Sequence, residues 1–191
     1  MRLFLAAPVD RALRERAEAA LAPLRERAPK VRWTPASRWH LTLKFLGELD
    51  REKAEALASS LAARLEGQPT SSLTPSGLHL FPGPRRPRVV ALAFEPPPGD
   101  LLALHRVLEA LAAGVGVLPE ERPFRPHLTL GRIRHPRDAR PLQALLPALE
   151  GEAWPALPVE RVQLVHSVLG RAGPAYTLLA EAHLRPALAQ R

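Results

Sequence analysis

The tetrapeptide His-Leu-Thr-Leu occurs twice in this chain, at residues 40–43 and again at 127–130. In an extended strand side chains alternate between faces, so His40 and Thr42 point one way while Leu41 and Leu43 point the other. His127 and Thr129 stand in the same relation to Leu128 and Leu130. Each copy therefore predicts a strand with an apolar face for a core and an imidazole-plus-hydroxyl face for something else. A lone strand histidine is usually a core or surface residue. An exact duplicate with matching flanks favours a functional pair. The histidines lie 87 residues apart (127 − 40), close to half of the 191-residue chain. That spacing points to a duplicated half rather than two independent domains.

A chain of this length can bury one substantial core shared by two small lobes, and we expect a single bilobal domain over residues 1–191. No run of about 18 apolar residues is present, so no membrane span is expected. The apolar start ends at Pro8 and Asp10, which reads as a first strand and not as a signal peptide. The absence of cysteine excludes disulfides and thiolate metal sites and makes a cytoplasmic enzyme the default. Lys and Arg outnumber Asp and Glu by 27 to 19, a formal charge of +8, and the excess is overwhelmingly arginine. Such a balance steers polyanions toward the surface, and guanidinium suits bidentate phosphate contacts.

Residues 2–7 predict a central strand. From Asp10 the pattern becomes helical, with Leu13, Ala17, Ala20, Leu21 and Leu24 on one side, until Pro29. A short strand is expected at 31–34 and a turn at 35–37. The first motif strand should run over 40–46 and stop at Gly47. Asp50 can cap a second helix that presents Ala54, Leu57, Ala58, Leu61 and Leu65 inward. Strands are then expected at 72–81 and 88–94, joined by the basic, proline-rich loop 82–87. A third helix over Leu101, Leu104, His105, Leu108, Leu111 and Ala112 follows the break at 96–99. The loop 114–125 delivers the second motif strand, 127–133. A short helix at 142–149 and strands at 159–169 and 175–184, linked by 170–174, complete the chain. This order is α+β. It predicts two similar lobes, each an antiparallel sheet with helices on its outer face, related by a pseudo-two-fold axis with the active-site cleft between them.

Across such a cleft His40 and His127 can face one phosphodiester, one imidazole removing a proton and the other donating one. Imidazole suits both tasks because both of its forms are populated near neutrality. Thr42 and Thr129 can donate hydroxyl hydrogen bonds to non-bridging phosphate oxygens. Phe45 and Arg132 each lie five residues after a histidine. An odd offset places them on the opposite face unless the strand bulges. Phe45 is thus either a core aromatic or a base-stacking ring, and Arg132 either a solvated charge or a phosphate grip.

The stretches 40–48 (HLTLKFLGE) and 122–132 (RPFRPHLTLGR) resemble the paired H-x-T-x signatures of the two-histidine phosphoesterases. The nearest likeness is to the RNA 2′,3′-cyclic phosphodiesterase branch, also called the 2′-5′ RNA ligase family. It covers essentially the whole chain, including the 4–8 opening, the 162–167 strand and Tyr176. The resemblance implies a metal-independent enzyme without cofactors. Such an enzyme opens terminal 2′,3′-cyclic phosphates on RNA, tRNA fragments among them, to leave a 2′-phosphate, with 2′-5′ joining as a side activity. It further implies His127 as general base, His40 as general acid, Thr42, Thr129 and Arg132 on the phosphate and Phe45 on the terminal base. Arg85, Arg86 and Arg88 are weaker candidates for upstream RNA contacts. The remaining histidines, 79, 105, 135, 166 and 183, lack a Thr at plus two and read as structural. A monomer is expected.

Two other classes compete. A metal-dependent phosphohydrolase would use the histidines as ligands, but neither motif carries the neighbouring carboxylate such sites usually need. A basic RNA-binding protein without catalysis would exploit the arginine excess, but no recognisable RNA-binding signature is present.

Overall fold

The computed structural model describes residues 1–170 and 173–186. Its first half contains β1 (Arg2–Pro8), α1 (Arg11–Arg27), β2 (Arg32–Trp33), β3 (His40–Glu48), α2 (Arg51–Leu65), β4 (Ser71–Leu73), β5 (Pro75–Phe81) and β6 (Val89–Phe94). Its second half contains α3 (Gly99–Ala113), β7 (His127–Arg132), α4 (Arg140–Leu145), β8 (Leu157–Val159), β9 (Arg161–Gly170) and β10 (Gly173–His183). α1 starts just after Asp10, and α2 starts after its predicted cap, Asp50. The Asp10 carboxylate accepts from the Ala12 amide at 3.0 Å and that of Asp50 from the Lys53 amide at 2.8 Å, each satisfying a donor the helix leaves open. Leu13, Ala17, Ala20, Leu21 and Leu24 are the buried residues of α1.

The long sheet runs β10-β9-β1-β3-β7-β6-β5, with β2 added to β7, and every pairing in it is antiparallel. Between β3 and β7 the ladder consists of one pair, Leu41 with Leu128. That narrow seam divides the sheet into two lobes. The unit β1-α1-β3 in one lobe repeats as β6-α3-β7 in the other, and each motif opens the last strand of its unit. The outer strands are exchanged: β9 from the second half pairs with β1, and β5 from the first half pairs with β6. The short strands that precede them, β4 and β8, pair with each other. The lobes are similar, but neither is a contiguous half of the chain.

Alternation along β1 separates the two sides of the sheet. Leu3, Leu5 and Ala7 join the helices in one large core, whereas Phe4 and Ala6 cluster with Val165 on the opposite face. Leu41 and Leu128, both without exposed surface, lie in the large core, where burial of a leucine contributes about 1.5–3 kcal/mol.

Several boundaries differ from expectation. The predicted strand 72–81 is two strands with different partners, broken before Pro75; that at 159–169 breaks at Glu160 for the same reason. β3 continues through Gly47, whose φ of +72° is accommodated within a register shift against β1. The helix expected over 142–149 is α4 flanked by 3-10 turns at Pro136–Ala139 and Leu146–Leu149, with prolines in the first turns. Arg171 and Ala172 of the expected linker 170–174 lie outside the described residues.

One charged pair is built into the core. The Lys44 side chain is 2% exposed; its Nζ lies 2.8 Å from the Glu109 carboxylate on α3 and donates to the Leu118 carbonyl at 3.2 Å. It thereby ties β3 both to the helix and to the loop that leads into β7. Removing one partner leaves the other charge buried and unpaired, so Lys44→Met should lower stability in chemical denaturation by about 3–5 kcal/mol. Lys44→Met with Glu109→Leu should recover most of that loss; equal instability of the single and double variants would show that the pairing is not what matters.

Candidate active site

The seam between the lobes places the two motifs. Continuing the antiparallel register one residue to either side of the Leu41–Leu128 pair sets His40 across from Thr129 and Thr42 across from His127. All four side chains leave the sheet on the face opposite the leucines. The two histidines become diagonal neighbours, which in a regular ladder stand about 7–8 Å apart. Only the leucine pair is in ladder register between the two strands, and the four groups share the sheet face opposite it, the cleft face.

A shared irregularity brings Phe45 and Arg132 to the same face. Against β1, Thr42 pairs with Ala6 and Lys44 with Leu5, so Leu43 is an extra residue in β3. Against β6, Thr129 pairs with Ala91 and Gly131 with Val90, so Leu130 is an extra residue in β7. Leu43 and Leu130 both stand three after their histidine. Each bulge sends two successive residues to the core side and shifts the following residue across. Phe45 consequently pairs with Phe4 on the cleft face and is 59% exposed. Arg132, paired with Val89 and exposed, is its counterpart in the other lobe. Phe45 is no core aromatic; the odd offset is resolved by a bulge in both lobes.

The imidazoles are oriented alike. Nδ1 of His40 lies 2.8 Å from the Arg38 carbonyl and Nδ1 of His127 lies 3.0 Å from the Arg125 carbonyl, each two residues upstream. A carbonyl oxygen only accepts, so each Nδ1 carries the hydrogen and each Nε2 is left to exchange a proton with a ligand. Their surroundings differ. His40 stacks on Phe4 with ring centroids 4.7 Å apart and meets Tyr176 edge-on at 5.4 Å. It borders a cavity of about 220 Å³ formed with Gln163 and Leu178. His127 is exposed, with Phe81 5.8 Å away as its aromatic neighbour. Burial lowers the His40 pKa; its hydrogen bond to Arg38 opposes this, and the charge of His127 adds to it. The last effect places the two rings within electrostatic reach of each other. Burial raises the Tyr176 hydroxyl, while Arg132, Arg38 and Arg2 pull it down, so the guanidinium of β7 acts across the cleft on β10.

The structure therefore gathers His40, Thr42, Phe45, His127, Thr129 and Arg132 on one face. It adds Phe4, Tyr176 and Phe81, which had no predicted role as ring neighbours because cross-strand register is not written in local sequence. Of the other histidines, His105 stacks on Phe124 at 4.4 Å beneath the loop before β7, and His79 lies beside Phe81 at 6.4 Å. Among the described residues no three His, Cys, Asp or Glu side chains are grouped as metal ligands would be, and no helix is long and apolar enough to cross a membrane.

The model of the LigT-like phosphoesterases matches residues 8–91 and again 94–176, one match for each motif. The RNA 2′,3′-cyclic phosphodiesterase of Thermus thermophilus is 38% identical over 200 aligned residues, covering 97% of this chain and 91% of its own length. That of Methanothermobacter thermautotrophicus is 32% identical over 177, covering 93% and 95%. Among solved structures, Escherichia coli LigT complexed with 3′-AMP superposes with a TM-score of 0.71 at 31% identity, over 96% of this chain and 97% of that one.

The burial of His40 has a measurable consequence. Its ring should hold a proton only at pH below the ordinary imidazole value of 6.5, and titration of the ring resonances in the ligand-free protein checks this. Saturating inorganic phosphate, an anion beside the ring, should move that midpoint upward. A free-protein midpoint at or above 6.5 would contradict the packing against Phe4 and Tyr176.

Proposed function

This chain belongs to the LigT-like phosphoesterase family, and from that membership we propose that it hydrolyses the terminal 2′,3′-cyclic phosphate of RNA to a 2′-phosphate. The observation that carries the reading is the facing pair of His-Thr strands across the leucine seam. Water attacks phosphorus and the bond to O3′ breaks. Nε2 of His127 takes the proton of the attacking water, and Nε2 of His40 protonates O3′ as it departs. Solvent then returns a proton to His40 and removes one from His127, which closes the cycle. Each proton transfer of this kind contributes about 10²–10⁴-fold in rate.

Thr42 and Thr129 donate to the non-bridging oxygens, and Arg132 holds the same group with a guanidinium, all aimed where charge accumulates. Phe45 offers an exposed ring to the terminal base. Burial leaves His40 neutral in the empty cleft at neutral pH; the arriving phosphate anion supplies the charge that restores its proton. A 5′-hydroxyl in place of water gives a 2′-5′ linkage by the same two transfers, so ligation is a side reaction of one site. The reaction needs no metal or other cofactor. A core that includes residues of both lobes supports reading 1–191 as one bilobal unit; we further propose that it acts as a monomer in the cytoplasm, on RNA ends such as tRNA fragments.

The direct test is a short RNA ending in a 2′,3′-cyclic phosphate, assayed with EDTA present. The product should carry a 2′-phosphate, and kcat/KM should be bell-shaped in pH. A 3′-phosphate product would reverse the assigned direction of protonation. His40→Ala and His127→Ala should each lower kcat by about 10²–10⁴-fold while RNA affinity persists. A wild-type protein that binds this RNA without turning it over would instead be a binding module, and loss of activity with EDTA would reinstate a metal.

A further inference from the structure

Away from the cleft, a cavity of about 410 Å³ lies between the 82–87 loop and the segment that ends in α4. Arg85, Arg137 and Arg140 line it, together with Pro84 and Gln143. The Gln143 amide donates to the Pro84 carbonyl at 2.6 Å, which fastens the loop to α4 and holds the two walls together. All three arginines are exposed, and among the described residues none is in an ion pair. Asp138, the one carboxylate in the 136–143 wall, is buried and does not line the cavity. Three guanidinium groups thus converge on one space without an internal counterion, an arrangement that repels itself unless an anion completes it.

The cavity is linked to the cleft along both walls. One wall begins at Phe81, the ring beside His127. The other begins at Arg132, on the cleft face at the end of β7, and carries exposed Arg134, Arg137 and Arg140 in succession. The segment running from the end of β7 to the cavity thus carries exposed cations at Arg132, Arg134, Arg137 and Arg140. Guanidinium forks recognise phosphate oxygens in pairs, and a track of them follows a phosphodiester backbone better than it fits an isolated ion. We propose that this cavity is a subsite for a backbone phosphate of the single-stranded RNA, beyond the terminal nucleotide held in the cleft. The proposal rests on the RNA cyclic phosphodiesterase reading and extends it: chain length, and not the cyclic end alone, sets affinity.

The test compares a mononucleoside 2′,3′-cyclic phosphate with a ten-nucleotide RNA carrying the same end, using wild type and Arg137→Ala/Arg140→Ala. The variant should turn over the mononucleotide at the wild-type kcat/KM. On the ten-mer its KM should rise about tenfold or more with kcat retained. In parallel, anisotropy with a labelled ten-mer ending in an ordinary 3′-hydroxyl gives Kd against salt. The slope of log K on log salt should flatten by about 0.7 for each phosphate that the variant no longer neutralises, whereas Arg137→Lys/Arg140→Lys should keep the steeper slope. Equal losses on both substrates, or no loss on either, would overturn the subsite. If the wild type turns over neither substrate, the enzymatic reading fails, and the anisotropy arm still decides the cavity. If the double alanine variant does not fold, Arg140→Ala alone serves in both assays.

Discussion

The contact between Leu41 and Leu128 fixes the geometry of everything else. Each leucine follows its histidine by one residue, so a local two-fold between the paired strands passes through the leucine pair and exchanges the motifs. Full burial of both side chains anchors the pair in the core shared by the lobes. With period-two alternation, burying a leucine forces the histidine before it and the threonine after it to the other face. The two motifs are thus brought together by the hydrophobic effect acting one residue away from the chemistry. A slip of either strand by a single residue would drive an imidazole into the core and is opposed by the leucines themselves.

The paired bulges extend this control along the strands. By inserting Leu43 and Leu130, each strand turns two successive residues coreward and recovers the cleft face at the fifth residue after histidine. The core-facing position between them is filled differently in each lobe. In β3 it is Lys44, whose charge finds Glu109. In β7 it is Gly131, where a Cβ would come within 3.0 Å of Trp33 and Val31. The second lobe brings β2 close against that point and has no room for a side chain; the first has room and fills it with an ion pair. Similar backbones are held by different packing, while the cleft-facing positions, Phe45 and Arg132, differ in chemistry.

What local sequence conveyed and what it withheld divide along physical lines. Strand alternation and helix periodicity concern neighbours within about four residues, so the motif faces, the cap at Asp50 and the buried stripe of α1 were readable. The odd position of Phe45 and Arg132 was readable as a conflict whose resolution required a bulge, but a bulge is defined against a partner strand and needs the register. The exchange of β5 and β9 between lobes, the split of 72–81 at Pro75, and the approach of Phe4 and Tyr176 to His40 all depend on pairings that local sequence does not specify. The basic cavity is of the same kind: its arginines come from segments about 50 residues apart and meet because Gln143 reaches the Pro84 carbonyl.

Duplication would supply two equivalent imidazoles, yet the two rings sit in different surroundings. The identical tetrapeptides and identical Nδ1 contacts to carbonyls two residues upstream give both rings the same tautomer and the same outward Nε2. The difference comes from outside the motifs. β1 and β10 close over His40 with Phe4 and Tyr176, withdrawing it from water and lowering its proton affinity, whereas His127 stays exposed beside Phe81. Because β10, carried in beside the exchanged β9, supplies Tyr176 to one lobe and the exchanged β5 supplies Phe81 to the other, the same topology that joins the lobes also makes their histidines unequal. Symmetry places the pair, and the strands that depart from it give each ring its own character.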